Sequence, residues 1–185
     1  MPELRSYLRH QLPPVLAAQV RAFQRIQWPF LDQRSDLLWD FAARPDAPAH
    51  FVIAEGEVLI SHACVNRRRI EVQNQPLEVF GLSSVFTYPA WRGEGYAGQV
   101  VDAATDYLRA SPADMAMLFC GEPLEKFYAQ RGWSAAREAH ILFGTRDSPQ
   151  RKHDNRVMML FVSETGRALR RTLETTPVYV GNSTW

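Results

Sequence analysis

The feature that most limits the fold is a change of period in the middle of the chain. From His50 to Thr87 the sequence is strand-like. HFVIAEGEVLISHACVNRRRI holds two β-rich runs with Glu55-Gly56 as the turn between them, and IEVQNQPLEVFGLSSVFT continues with Gln73–Pro76 as the next turn. Turns this short join antiparallel neighbours, so the segment predicts a β-meander. Directly after it the apolar spacing becomes helical: Ala97–Arg109 sets Val100, Val101, Ala104, Tyr107 and Leu108 on one stripe.

The flanking regions follow the same rules. Residues 14–27 carry Val15, Leu16, Val20, Phe23 and Ile26 at helical spacing, with Pro13-Pro14 at the start and Pro29 just beyond. A shorter helix is expected over Asp36–Ala43, stopped by Pro45 and Pro48. Downstream, Ala116–Cys120 reads as a strand and Glu122–Arg131 as a helix ended by Gly132. Residues 139–143 and 156–162 read as strands around a polar loop, Thr145–Asn155, and Val178–Val180 as a last strand. The run Arg67-Arg68-Arg69 reads as a solvated or edge strand whose charges block stray pairing, in preference to a phosphate or nucleic-acid patch. With no repeat or linker, residues 1–185 are expected to form a single domain.

Composition narrows the function classes. A net charge of +1 argues against a nucleic-acid binder, which would carry a basic excess. The two cysteines, Cys64 and Cys120, lie in apolar surroundings and are expected as buried thiols, with no spacing for a metal. The N-terminus lacks a signal-peptide core, and no stretch nears the roughly 20 apolar residues of a membrane span. A cytoplasmic protein with no membrane partner is the expectation.

The segment SSVFTYPAWRGEGYAG, residues 83–98, carries the chemistry. A strand ends near Thr87, a proline loop follows, and Arg92-Gly93-Glu94-Gly95-Tyr96-Ala97-Gly98 leads into the helix. Glycines let backbone N–H groups turn toward one point, and a helix start adds unpaired donors and partial positive charge. That combination suits a phosphate or pyrophosphate, and Arg92 adds a full charge. The segment has no GxxxxGK[ST], so it is not a P-loop. A dinucleotide-binding GxGxxG turn needs a parallel βαβ unit, whereas an antiparallel meander precedes these glycines.

Arg92-Gly93-Glu94-Gly95-Tyr96-Ala97 resembles the R/Q-x-x-G-x-G/A signature of the GNAT superfamily of N-acetyltransferases. Leu124–Trp133, with Tyr128 before Gly132-Trp133, resembles that superfamily's second motif. A closer resemblance is to aminoglycoside 2′-N-acetyltransferases. It is carried by Ser61–Val65, Arg67-Arg68, Gly81, Trp91-Arg92-Gly93, Tyr128-Ala129 and Arg131-Gly132-Trp133, and spans about residues 50–185.

The resemblance implies an α/β (α+β) acyl-CoA N-acyltransferase fold: a mixed, mostly antiparallel sheet flanked by helices, with splayed central strands and acetyl-CoA as cosubstrate. By the same likeness, the backbone of Val85 and Thr87 pairs with the pantetheine arm. The N–H groups of Gly93, Glu94, Gly95, Tyr96, Ala97 and Gly98, with Arg92, hold the pyrophosphate, and Tyr128 sits near the sulfur. Asp154, the carboxylate of Trp185, and Asp32 or Asp36 would line the acceptor site for a small-molecule amine. A homodimer is an analogy of the same kind.

Acyl transfer from a thioester needs a neutral amine, a polarised carbonyl and a proton for the departing thiolate. An alkyl amine of pKa ~10.4 is more than ~99.9% protonated at pH 7, a penalty of roughly 4–5 kcal/mol. Backbone N–H groups near Val85–Phe86 are candidates to polarise the carbonyl, and Tyr128 to supply the proton. Where the aminoglycoside enzymes carry a glutamate base, alignment on Trp91-Arg92-Gly93 puts Ser83. Ser83 can hold a water, with His62, Glu78 or His153 as more distant candidates for the base. Two other functions stay open: an acetyl-CoA-binding module with little catalysis, and a protein or peptide N-acetyltransferase.

Overall fold

The computed structural model describes residues 1–8, 11–29, 49–151 and 156–181. The helix expected over Asp36–Ala43, and the residues Asp32, Asp36, His153, Asp154 and Trp185, lie outside the described residues. The chain forms two compact units, Met1–Asn66 with Leu82–Asp106, and Arg67–Gly81 with Tyr107–Trp185. The architecture is mixed α/β, with sheets that are mostly antiparallel and helices flanking them.

In the first unit β1 (Glu3–Leu8) pairs antiparallel with β2 (Ala49–Glu55), Leu8 opposite Ala49. The sequence reading did not anticipate β1, because ELRSYL shows only exposed and half-buried positions and no apolar run. A Gly56-Glu57 turn joins β2 to β3 (Val58–Val72). Their register starts with Glu55 opposite Val58 and Ala54 opposite Leu59. It then slips by one at Ile53/Ala54, so that Ile53 faces Ser61 and His50 faces Cys64.

Helix α1 (Pro14–Gln27) occupies the span its periodicity predicts, with proline in the first turn. Its Leu16, Val20 and Phe23 pack with Val52, Ala54, Leu59 and Phe86. Burial of each large apolar side chain contributes about 1.5–3 kcal/mol, and Phe23 stacks on Phe86 with ring centroids 4.4 Å apart. Strand β4 (Gln75–Thr87) completes the order β1-β2-β3-β4 and leads toward helix α2 (Tyr96–Ala110). Strands β3 and β4 and helix α2 each contribute residues to both units.

In the second unit the turn between β3 and β4 is Gln73-Asn74, with φ of +50° and +63°. Two consecutive left-handed residues match the right-handed twist of a hairpin, and asparagine tolerates that region well. The order continues from β4 through β5 (Met115–Cys120) and β9 (Arg156–Phe161) to β6 (Ser134–Ala135). Strands β4 and β5 are parallel, Val79 opposite Met115 and Gly81 opposite Met117, and their pairing ends there although β4 runs on to Thr87 and β5 to Cys120. A smaller sheet has the order β10 (Pro177–Tyr179), β7 (His140–Thr145), β8 (Ser148–Arg151).

Strand β8 occupies part of the expected polar loop Thr145–Asn155. All its side chains are exposed, so it shows no apolar alternation; pairing with β7 makes it a strand. The C-terminal stretch also holds two short helices, α4 (Glu164–Ala168) and α5 (Arg170–Thr175). In the expected Glu122–Arg131 helix, residues Glu122–Leu124 form a 3₁₀ turn before α3 (Glu125–Ala129). The arginine run lies on β3, the first strand in this unit's order. Arg67 and Arg69 both pair with Glu78, at 2.8 and 2.9 Å, while Arg68 donates to the Val180 carbonyl.

Asp114 ties this unit together. Its carboxylate accepts from the Glu78 N–H and the Ser163 hydroxyl, and its carbonyl from the N–H groups of Val162 and Ser163. Gly166 lies so close that an added Cβ would sit 2.0 Å from the Asp114 carbonyl oxygen. Backbone cannot yield as a flexible side chain can. Gly166→Ala should therefore destabilise the protein by about 1–3 kcal/mol, measured as a lower urea midpoint at unchanged m-value.

Among the described residues no helix is long and apolar enough to cross a membrane, and no group of three or more His, Cys, Asp or Glu is placed to hold a metal. Both cysteines are buried and free.

Candidate active site

In the first unit the end of β4 departs from regular strand. Ser84 has φ of +52°, a conformation that costs a non-glycine residue roughly 1–2 kcal/mol. Two side chains hold it there. Gln24 of α1 donates its amide N–H to the Ser84 hydroxyl at 2.7 Å, and His62 of β3 donates Nδ1–H to the Ser84 carbonyl at 2.8 Å. At about 0.5–1.5 kcal/mol net each, these two bonds are of the size needed to offset the strain.

His62 is in turn 3.0 Å from His50 across the β2–β3 pair. A carbonyl can only accept, so His62 carries its proton on Nδ1, its Nε2 is a lone pair, and His50 donates to it from Nδ1. Burial lowers His50 to about 4; burial, then the neighbouring His50, lowers His62 to about 3. Both rings are neutral at physiological pH. His62 was a candidate for the base, but both of its nitrogens are already committed and its basicity is suppressed.

Ser83, its neighbour on β4, accepts from the Asn66 side-chain amide at 2.8 Å. The thiol of Cys64 lies 3.8 Å from the Asn66 amide oxygen, and burial pushes it up to about 12, so it stays protonated. Ser83 thus hydrogen-bonds to a neutral amide, with a protonated thiol on the far side of that amide. Phe86 and Thr87 are buried, and Val85 is half-buried. The Ser61 hydroxyl donates to the Phe86 carbonyl at 2.9 Å and lies 2.9 Å from the Thr87 hydroxyl.

Beyond Thr87, Pro89–Trp91 form a 3₁₀ turn, and the Arg92 Nε–H folds back onto the Thr87 carbonyl at 3.1 Å. Gly93 and Gly95 adopt φ of +91° and +79°, where a side chain would be strained, with open space where a Cβ would project. Tyr96 begins α2, and its ring meets Trp91 edge-on at 6.4 Å. Among the described residues, the first backbone N–H after Arg92 to reach a backbone acceptor is that of Gln99, on the Gly95 carbonyl at 3.2 Å. The N–H groups of Gly93, Glu94, Gly95, Tyr96, Ala97 and Gly98 therefore form a run of unpaired donors at the positive end of a 15-residue helix. These groups fit a bound diphosphate.

In the second unit Tyr128 lies on α3, with only 5% of its surface exposed. Burial raises its pKa well above the usual phenol range; Cys120 adds to this and Arg131 opposes it. Cys120 itself is pushed to about 11 by burial first and by Glu125 second. The Arg131 guanidinium lies 4.0 Å over the Phe127 ring, and Gly132 follows at φ +86°. Glu78 is clamped between Arg67 and Arg69. The Arg67 hydrogen bond, its largest influence, holds the carboxyl below the usual range, which makes it a poor proton acceptor.

The sequence reading missed His50, Gln24 and Asn66. None has a motif of its own, and each matters only through the side chain it meets across the fold.

An antiparallel-rich sheet that feeds a glycine turn and an open helix start is the arrangement expected of an acyl-CoA N-acyltransferase fold, and solved N-acetyltransferase structures share it. A family model described as an acetyltransferase (GNAT) domain matches residues 3–136, so the chain belongs to the GNAT family of acetyltransferases. It is 30% identical over 99 residues to an aminoglycoside 2′-N-acetyltransferase of Mycolicibacterium fortuitum, covering 54% of this chain and 49% of that protein. The chain thus spans about half the length of this curated relative.

Solved structures confirm the fold. The GNAT family N-acetyltransferase YhbS of Escherichia coli, in complex with CoA, superposes with a TM-score of 0.60 at 16% identity, covering 97% of this chain and 89% of that one. A GNAT family acetyltransferase of Brucella melitensis, in complex with acetyl-CoA, gives 0.54 at 17% identity, covering 87% and 89%.

Proposed function

We propose that this protein is an acetyl-CoA-dependent N-acetyltransferase that moves acetyl directly to the primary amine of a small molecule. The observation that carries the reading is the run of unpaired N–H donors over residues 93–98 at the start of α2. Those donors and Arg92 would bind the pyrophosphate of acetyl-CoA, and the strand end Val85–Thr87 would align its pantetheine arm. Family membership and the CoA and acetyl-CoA complexes of the two structural neighbours support this assignment. Both compact units belong to one catalytic domain on this reading, since β3, β4 and α2 run through both.

In the reaction the neutral amine attacks the thioester carbon, backbone N–H groups near Val85–Phe86 stabilise the oxygen charge, and the C–S bond breaks. Tyr128 gives its phenolic proton to the departing thiolate and is reprotonated from solvent. The acetylated nitrogen loses its proton to water held at Ser83. An aminoglycoside is the first acceptor to test, because of the M. fortuitum relative. The uncharged pair Ser83 and Asn66 favours an acceptor with fewer positive charges.

Calorimetric titration with acetyl-CoA, followed by a thiol-release screen against aminoglycosides, polyamines and amino-acid amines, tests the proposal. Micromolar binding and release with at least one amine are expected. Gly95→Val forces a β-branched residue to φ near +79°, and should weaken acetyl-CoA binding at least about tenfold, or let the cradle collapse, without unfolding the protein. Absence of both heat and thiol release in the wild type rejects the assignment.

A further inference from the structure

The chain of polar contacts behind Ser84 runs through three elements. His50 on β2 donates to His62 on β3, and His62 donates to the Ser84 carbonyl on β4, at 3.0 and 2.8 Å. Gln24 on α1 approaches the same residue from its hydroxyl side at 2.7 Å. His62 is 0% exposed, His50 9% and Gln24 7%, so all three polar side chains are committed in the interior. Burying such groups is costly unless each is satisfied. They converge on the one β4 residue with positive φ, a conformation that serine adopts only when its surroundings impose it.

We propose that His62, oriented by His50 and assisted by Gln24, is a positioning residue that holds Ser84 in the left-handed conformation and so aims the main chain of Val85–Thr87 at the acyl thioester. This rests on the acetyltransferase reading. His62 itself exchanges no proton with the reactants. Its role is the direction of one N–H bond, and the role of His50 is to keep that hydrogen on Nδ1 by donating to Nε2. The residue at position 84 is then a conformational switch point: a glycine there would need neither helper.

The test uses that last property. His62→Phe keeps an aromatic ring but removes the donor. It should lower kcat about 10–100-fold, since displacing a reacting group by about 1 Å can cost that much, while acetyl-CoA affinity changes less than kcat. Adding Ser84→Gly to His62→Phe should recover most of the loss, and adding Ser84→Ala should recover none. Gln24→Leu leaves the histidine pair in place, so it keeps the proposal testable should His62→Phe fail to fold. It should lower kcat by a smaller factor, again restored by Ser84→Gly. Crystal structures should show φ at residue 84 positive in the wild type and negative in His62→Phe.

A kcat for His62→Phe equal to wild type, rescue by alanine as good as by glycine, or an unchanged positive φ would each overturn the proposal. If the wild type releases no thiol with any amine, the acetyltransferase reading fails on its own, and φ at residue 84 still decides whether His62 positions it.

Discussion

Replacing Tyr128 by phenylalanine should lower kcat by about 10²–10⁴-fold, the usual range for losing a general acid, while acetyl-CoA affinity stays within about twofold. The hydroxyl is the only atom removed, and the buried ring still fills its site on α3. Burial raises the Tyr128 pKa, so the phenol is protonated at every physiological pH and can serve as a donor but not as a base. A raised pKa also makes a phenol a weaker acid. The proposed transfer therefore requires that the departing thiolate be held in similarly apolar surroundings. Stopped-flow thiol release in Tyr128→Phe, with calorimetry for acetyl-CoA, makes the measurement. A kcat unchanged within a factor of two would remove Tyr128 from the chemistry.

Acid should destabilise the protein steeply between about pH 6.5 and 4. His50 and His62 have folded pKa values of about 4 and about 3, below the ordinary 6.5. Across that window the unfolded chain binds protons that the folded chain refuses, so stability rises with pH and is complete only above about 6.5. His50 alone accounts for roughly 2–3 kcal/mol of loss between pH 7 and pH 4.5, and His62 adds to it. Carboxylates such as Glu78, whose pKa is lowered by Arg67 and Arg69, act further down, as pH falls below the usual carboxylate range. Urea unfolding at pH 7 and at pH 4.5 therefore reports mainly on the histidines. A flat stability between those two points would show that the pair is not buried as neutral imidazoles. If the loss is seen, a variant lacking both rings should flatten it.

Much of the fold was legible because its cues are local. Helix α1 starts and stops within its prolines, and α2 follows its stripe of Val100, Val101, Ala104 and Leu108. The residues proposed to cradle the diphosphate are contiguous, from Arg92 to Gly98, so their backbone chemistry could be read directly from glycine placement and a helix start. Strands β1 and β8 escaped notice because their side chains are mostly outside the core. Pairing, and not apolar alternation, makes them strands.

Ser83, Ser84 and the two histidines show where the sequence stops. Extending the hairpin register set at Glu55 and Val58 would place His50 opposite Ala63, with His62 on the other face of the sheet. The one-residue slip at Ile53/Ala54 moves His50 opposite Cys64 instead, and so puts both imidazoles on one face and within hydrogen-bonding reach. The sequence by itself determined the meander, the helix that follows it and the donor-rich turn between them, because steric and periodic rules act over a few residues. Only the tertiary structure decided which buried groups hold Ser84 and that His62 is spent as a donor, because a strand register is settled by packing of the whole sheet, and one residue of slip exchanges its faces.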